Sequence, residues 1–288
     1  MLRQFAAGTI LIASIGFFAY YFISHPQVGH RLKSTPPGIL LAILGLYFMS
    51  VVAIALIMNA TLYLCNIKLG NKESIKLTAY SSLVNFFGPL QSGPAFRALY
   101  LKKKHGASLK KYAAASLIYY LVFGIISLLF VASYWLDWRL GVLILAGLIG
   151  LFFLLRLNYI SSKLKMINLR GWYLLAAATA FQIVVVTSIY YIELKSVAPN
   201  TSLHQIIIYS GAANLALFVS LTPGAIGFRE SFLVFTQHLH HISNATIVTT
   251  NILDRAMYIV LLAILAIGIF VTHTKSALSL DTEIEKSK

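Results

Sequence analysis

Long apolar runs separated by short basic loops set the pattern of this chain. Six stretches reach or approach the roughly 20 apolar residues that a membrane-crossing helix needs: 5–23, 39–65, 112–136, 140–155, 172–192 and 246–272. The fourth is the shortest and lies between Arg139 and Arg156. Trp135, Trp138, Trp172 and Tyr173 fall at segment ends, where interfacial aromatics belong.

Two further apolar stretches are interrupted. Residues 77–96 carry Gly88-Pro89 and Gly93-Pro94, and residues 203–239 carry Pro223, Gly224 and Gly227 before Arg229-Glu230. Proline removes a backbone donor and clashes with the preceding turn, so neither stretch is expected to be one straight helix. Irregular backbone at membrane depth persists only where protein or a watery cavity satisfies it. Both are expected to be broken, re-entrant hairpins that line a cavity.

Composition agrees. Of the 288 residues, 59% are hydrophobic and 11% charged, against about half and about a quarter in soluble proteins. Lys and Arg total 23 against 8 for Asp and Glu, a net charge of +15. The basic residues sit in short loops beside apolar runs, which suits anionic headgroups and membrane orientation rather than nucleic acid. With only Cys65, no intramolecular disulfide or Cys-based metal site is expected. The first run is followed by His25-Pro26 rather than a small-residue cleavage site, and is expected to be a retained helix. If the N-terminus is cytoplasmic and neither hairpin crosses, sixteen Lys/Arg fall inside and four outside, with Arg97, Arg229 and Arg255 left in the apolar zone. Making either hairpin cross spoils that sorting. The hairpins then enter from opposite faces, and Pro89-x3-Gly93-x3-Arg97 echoes Pro223-x3-Gly227-x-Arg229. Inverted repeats over about 39–136 and 172–273, with broken helices meeting near the midplane, would be a transporter design.

The chemistry concentrates at the breaks. A short helix beginning near Gly227 presents free N–H groups and a positive dipole end, with Arg229 in its first turn. Ser92-Gly93-Pro94 offers a cap and an early helical proline, with Arg97 one turn in. Arginine binds phosphate with a planar fork and stays protonated, so the pair suits a phosphate held away from bulk water. The bland alternative is that these arginines snorkel or pair with Glu230 and Asp254 as structural glue. Function is preferred for Arg97, Arg229 and Glu230, because ionisable residues inside a span are rare. For Asp254 and Arg255, which point to different helix faces, the two readings stay level. Asn85 and Asn214 precede the breaks and could bond freed backbone or a headgroup. His238, His240 and His241 are expected to be a solvated or headgroup-facing cluster, not a metal site. Asp137 and Glu193 are expected at the membrane edge. No cofactor, metal or catalytic motif is expected.

Residues 85–116, with Pro89, Gly93, Arg97 and the Gly106-x-Ser108 turn, together with Thr222-Pro223-Gly224-x-x-Gly227-x-x-Glu230 and Asp254-Arg255, resemble the transmembrane region of lysylphosphatidylglycerol synthases, part of a wider flippase-like family. Ala225 stands where that family usually has a second glycine, and Pro94-Ala95 where a Gly-Glu-like pair is common. The resemblance implies a lipid flippase or lipid-handling transporter. With no soluble aminoacyl-transfer domain, the chain is expected to be the membrane part alone.

The expectation is therefore an all-α integral membrane protein of the inner (plasma) membrane, one polytopic domain over 1–275 with a short polar cytoplasmic tail at 276–288. About six spans and two inverted hairpins would translocate an anionic or phosphate-bearing lipid. Arg97 and Arg229, with Gly93, Gly227, Pro89 and Pro223 shaping the breaks, would hold the headgroup; Glu230 and Asp254 would balance or gate it. Loss of Arg229 should stop transport without unfolding. The alternative is a membrane-embedded enzyme or accessory subunit acting on polyprenyl-phosphate-linked sugars. A third reading, a carrier for a small soluble anion, would show itself by ligand binding in detergent without lipid. Membrane lipids are the expected partners, and an oligomer is compatible with the sequence.

Overall fold

The structure, a computed structural model, describes residues 33–87, 92–135, 169–218 and 228–286 and scattered positions between 20 and 30, with side chains as far as Val271. Every regular element among them is an α-helix: α1 (Pro37–Leu64), α2 (Asn71–Phe87), α3 (Ser92–His105), α4 (Leu109–Ala132), α5 (Leu169–Val197), α6 (Leu203–Phe218), α7 (Phe228–Phe235), α8 (Gln237–His240) and α9 (Asn244–Lys286). Four contain spans long and apolar enough to cross a membrane: Pro37–Leu64, Leu109–Ala132, Arg170–Val197 and Asn244–Val271. They coincide with four of the six runs read from the sequence; runs 5–23 and 140–155 lie outside the described residues. The outward face of α4 is aliphatic, with Leu117, Leu121, Ile125 and Leu128 each 48–59% exposed. Such a stripe suits an apolar surrounding. The chain is a multi-pass, all-α membrane protein. Its polar tail continues the last helix to Lys286.

α1 and α5 form an antiparallel spine. Tyr47 and Val51 pack with Val185 and Ile189 near one end, while Ile57 and Ala60 pack with Leu175 and Ala178 towards the other. A Cβ on Gly171 would lie 2.7 Å from Leu64 Cδ2, so a larger residue at the start of α5 would have to move the Leu64 side chain at the end of α1.

The two interrupted stretches fold back on themselves. α2 and α3, of 17 and 14 residues, are only about 25 and 21 Å long at 1.5 Å per residue, short of the roughly 30 Å hydrocarbon layer. Near the turn, Ser92 Oγ donates to the Val84 carbonyl (2.8 Å) and Gly93 N–H to Asn85 Oδ1 (3.2 Å). At the mouth, Tyr100, Lys104 and His105 converge on Glu73. The chain thus goes out along α2 and returns along α3 to the same end. α6 turns back through α7 and α8 likewise, bringing His240 against the Tyr209 ring at 5.5 Å. Pro89, Pro223 and Gly227, at the turns themselves, lie outside the described residues.

Both hairpins leave by the same device. A left-handed residue ends the helix (Gly106 at φ 63°, His241 at φ 54°), a buried apolar residue follows (Ala107, Ile242), and a serine caps the next long helix. Ser108 Oγ accepts from Lys111 N–H and Ser243 Oγ from Thr246 N–H. Their mouths lie at opposite ends of the bundle. The α2–α3 mouth lies with the end of α1 and start of α4, where Leu62, Leu101 and Tyr112 share a cluster. The α6–α8 mouth lies at the end of α4, where His204 meets Ser133 and His241 meets Tyr134.

Candidate headgroup site

A cavity of about 160 Å³ opens where the tip of the first hairpin meets α1, α4, α5 and α9. Asn85 and Gly93 come from the hairpin turn, Arg97 from the first turns of α3, Tyr119 from α4, Gln182 from α5 and Tyr258 from α9. Gly93 makes the geometry. A Cβ there would sit 2.5 Å from the Ser81 carbonyl oxygen and 2.8 Å from Asn85 Cβ, so α2 and α3 touch backbone to backbone. Asn85 meets freed backbone, one of the two roles its position suggested, by accepting from Gly93 N–H. Opposite, the Tyr119 hydroxyl donates to Gln182 Oε1 at 2.7 Å.

Arg97 is half-buried, and its Nε is buried without a hydrogen-bond partner. Among the described residues its guanidinium forms no ion pair; the acids that pair do so elsewhere, Glu73 with Lys104 and His105, Asp254 with Arg229, and Glu230 with Arg255. Among the described residues no acid lies beside this cation in its polar cavity, and a guanidinium so placed is able to donate to an anion.

Arg229 is set differently. It is 7% exposed, its Nη1 donates to Asp254 Oδ2 at 2.7 Å, and its guanidinium lies 5.1 Å from the centre of the Tyr190 ring. Asp254 Oδ1 in turn accepts from the Tyr47 hydroxyl at 2.6 Å. The next residues repeat the pairing: Arg255 Nη2 and Nε donate to Glu230 Oε1 at 2.6 and 2.8 Å. Two consecutive residues of α7 thus meet two consecutive residues of α9 with the signs reversed. Asp254 and Arg255 each find their own partner because successive helical residues point about 100° apart. Nε and Nη2 of Arg229 and both amide atoms of the fully buried Asn214 have no hydrogen-bond partner. The structure therefore gathers Asn85, Gly93 and Arg97 at one cavity and Arg229, Glu230, Asp254 and Arg255 in one charge cluster. Tyr258 connects the two: it lines the cavity, and its ring lies 5.5 Å from that of Tyr47, the hydroxyl donor to Asp254.

One expectation needs correction. The three histidines are not one solvated cluster: His240 is fully buried. Its Nε2 bonds the Leu233 carbonyl and its Nδ1 accepts from Ile242 N–H, and burial holds the imidazole below its ordinary range. It is a structural lock on the second hairpin. No group of three His, Cys, Asp or Glu among the described residues could hold a metal. Glu193, expected at the membrane edge, lies near the end of α5 and faces the protein interior. It is 0% exposed, because α5 runs on to Val197 and the second hairpin covers it. Asp137 lies outside the described residues. Gln182 and Tyr119 were missed because one polar residue in an apolar run carries no signal of what it faces.

The comparison that bears on this arrangement is with a family. The sequence model described as the lysylphosphatidylglycerol synthase TM region matches residues 5–266. The chain belongs to that family. This covers nearly all of the helical body, places the protein among membrane proteins connected with lipid, and agrees with the resemblance carried by the two hairpin motifs. No protein of curated function is detectably similar to the chain.

Proposed function

We propose that this protein is a lipid transporter of the inner membrane that moves an anionic or phosphate-bearing lipid between leaflets, with its N-terminus cytoplasmic. The observation that carries the reading is Arg97: a half-buried guanidinium without an acid partner, lining a polar cavity at the tip of a short returning hairpin. The cavity, about 160 Å³, lies below the roughly 300–1,000 Å³ that encloses a drug-sized molecule. It has room for a phosphate-sized group but not for acyl chains, which stay in the bilayer while the headgroup passes. Both hairpins are re-entrant in this reading, one from each face, so that the headgroup meets fixed polar groups near the midplane. The basic mouth of the first hairpin, Lys102 to Lys104 with Lys110 and Lys111, gathers anionic lipid at the cytoplasmic surface.

Arg97 and Arg229 divide the work. Arg97 receives the headgroup. Arg229, balanced by Asp254, is available to it only when that pair opens, and the Glu230–Arg255 pair holds α7 against α9 meanwhile.

The test is leaflet exchange of fluorescent phosphatidylglycerol in proteoliposomes of the purified protein. Exchange well above that of protein-free vesicles is expected. Its absence for phosphatidylglycerol and for a polyprenyl phosphate alike would sink the proposal, and turnover of a polyprenyl-phosphate sugar by the same preparation would replace transport with enzymic chemistry.

A further inference from the structure

Among the described residues, Glu193 lies where an ionised carboxylate would have to share one cation with another acid. Its side chain is 0% exposed, and neither Oε1 nor Oε2 has a hydrogen-bond partner. The titratable and charged groups around it come from every helix packed there. They are Tyr47 of α1, Tyr190 one turn back on α5, Tyr209 of α6, Arg229 of α7 and Asp254 of α9.

The charges do not balance if all the acids are ionised. Arg229 is one cation and faces two acids. Asp254 already accepts from Arg229 Nη1 and from the Tyr47 hydroxyl, the bonding that an ionised carboxylate needs. Arg255 is taken up by Glu230. His240, against the Tyr209 ring, cannot supply the missing charge. With Nδ1 accepting from Ile242 N–H, its single proton sits on Nε2, facing the Leu233 carbonyl. One negative charge is in surplus, and it falls on the acid without a donor. A buried, unpaired carboxylate is far costlier than a buried neutral acid.

We propose that Glu193 is a proton-binding site: it holds one proton while Arg229 is paired with Asp254, and keeps it when Arg229 exchanges Asp254 for an anionic headgroup, a second proton then entering with the headgroup to neutralise Asp254. The resting proton follows from the buried charge count of the described residues alone, whereas the proton that accompanies the headgroup rests on the transport reading above. Each anionic headgroup then enters with one proton, and the buried cluster stays neutral throughout.

Infrared spectroscopy of the full-length protein in lipid at neutral pH reads the first part directly. A carboxylic-acid C=O band that shifts in deuterated water is expected in the wild type and should be lost in Glu193→Gln. It should also be lost in Asp254→Asn, where Glu193 becomes the sole acid facing Arg229 and ionises. A wild type without the band, or a band that survives in either variant, overturns the proposal. The coupling is read in proteoliposomes with an imposed pH gradient. The wild type should redistribute labelled phosphatidylglycerol according to the direction of the gradient, and Glu193→Gln, a fixed mimic of the protonated acid, should respond in the same way. Wild-type exchange indifferent to the gradient overturns the coupling. No exchange at all overturns the transport reading and leaves the infrared result standing.

Discussion

Arg97 and Arg229 occupy matching places, each in the opening turns of a short helix behind a glycine-proline break, yet their surroundings differ. The sequence showed both arginines and even their glue partners, because Asp254-Arg255 and Arg229-Glu230 are two of the few charge pairs in apolar runs. It could not show which arginine would be matched. That depends on α7 lying against α9 and on Tyr47 coming to Asp254 from 207 positions away. The pairing also changes what loss of Arg229 should do. Arg229→Ala leaves Asp254 buried without its cation, and removing one partner of a buried pair costs about 3–5 kcal/mol. A clear fall in melting temperature is expected, with partial recovery in Arg229→Met/Asp254→Leu, read by thermal unfolding in detergent; an unchanged Arg229→Ala would deny the pairing. Glu73 gives a pH signature at the mouth of the first hairpin. Hydrogen bonding from Lys104, then from Tyr100, holds its carboxyl down at about 2, from an ordinary 4.5. A depressed carboxylate stabilises the fold above its ordinary range and stops doing so as pH falls through the folded value. Glu73→Gln should therefore be less stable than wild type at neutral pH, with the gap closing between about 4.5 and about 2.

Among the elements, the spans were the most legible part, since length and hydropathy decide them and tertiary context hardly intervenes. The breaks were legible from proline and glycine. What the breaks become was legible only in outline, because the return of α3 along α2 is set by contacts that composition does not encode. Gly93 is the clearest: its value lies in having no Cβ where Ser81 O and Asn85 Cβ crowd in. Gly93→Ala should push the hairpin apart at an overpacking cost of about 1–3 kcal/mol. Phosphatidylglycerol exchange should fall as well, because Arg97 and Asn85 are no longer held together at a fixed cavity. Gly211 offers a control of the same kind away from the cavity. There a Cβ would lie 2.6 Å from the Ser127 carbonyl oxygen, so Gly211→Ala should lower stability by a similar amount while moving exchange less. Equal losses of exchange in the two variants would mean that the cavity has no special standing.

At the scale of the whole molecule, the mouths of the hairpins lie at opposite ends of the bundle, one beside the lysine-rich turn at Lys102–Lys104 and the other beside His204 and His241. The sorting of basic loops anticipated that arrangement, since it is a property of charge along the chain. The contact between the cavity and the charge cluster through Tyr258 and Tyr47 was not legible, since it needs three distant helices to be packed first. In a Cys65→Ser background, single cysteines at Lys104 and at His241 should react with an impermeant thiol reagent from opposite faces of oriented vesicles. Reaction from one face would break the inverted arrangement. The central claim, that a partnerless Arg97 receives an anionic headgroup, is tested most directly by leaflet exchange with Arg97→Gln beside the wild type. Hydrogen bonds to a charged group are worth about 1.5–3 kcal/mol, or roughly 10- to 100-fold in rate at 1.4 kcal/mol per decade. The account predicts a loss of that size for phosphatidylglycerol in a protein that melts at the wild-type temperature, whereas undiminished exchange by folded Arg97→Gln would contradict it.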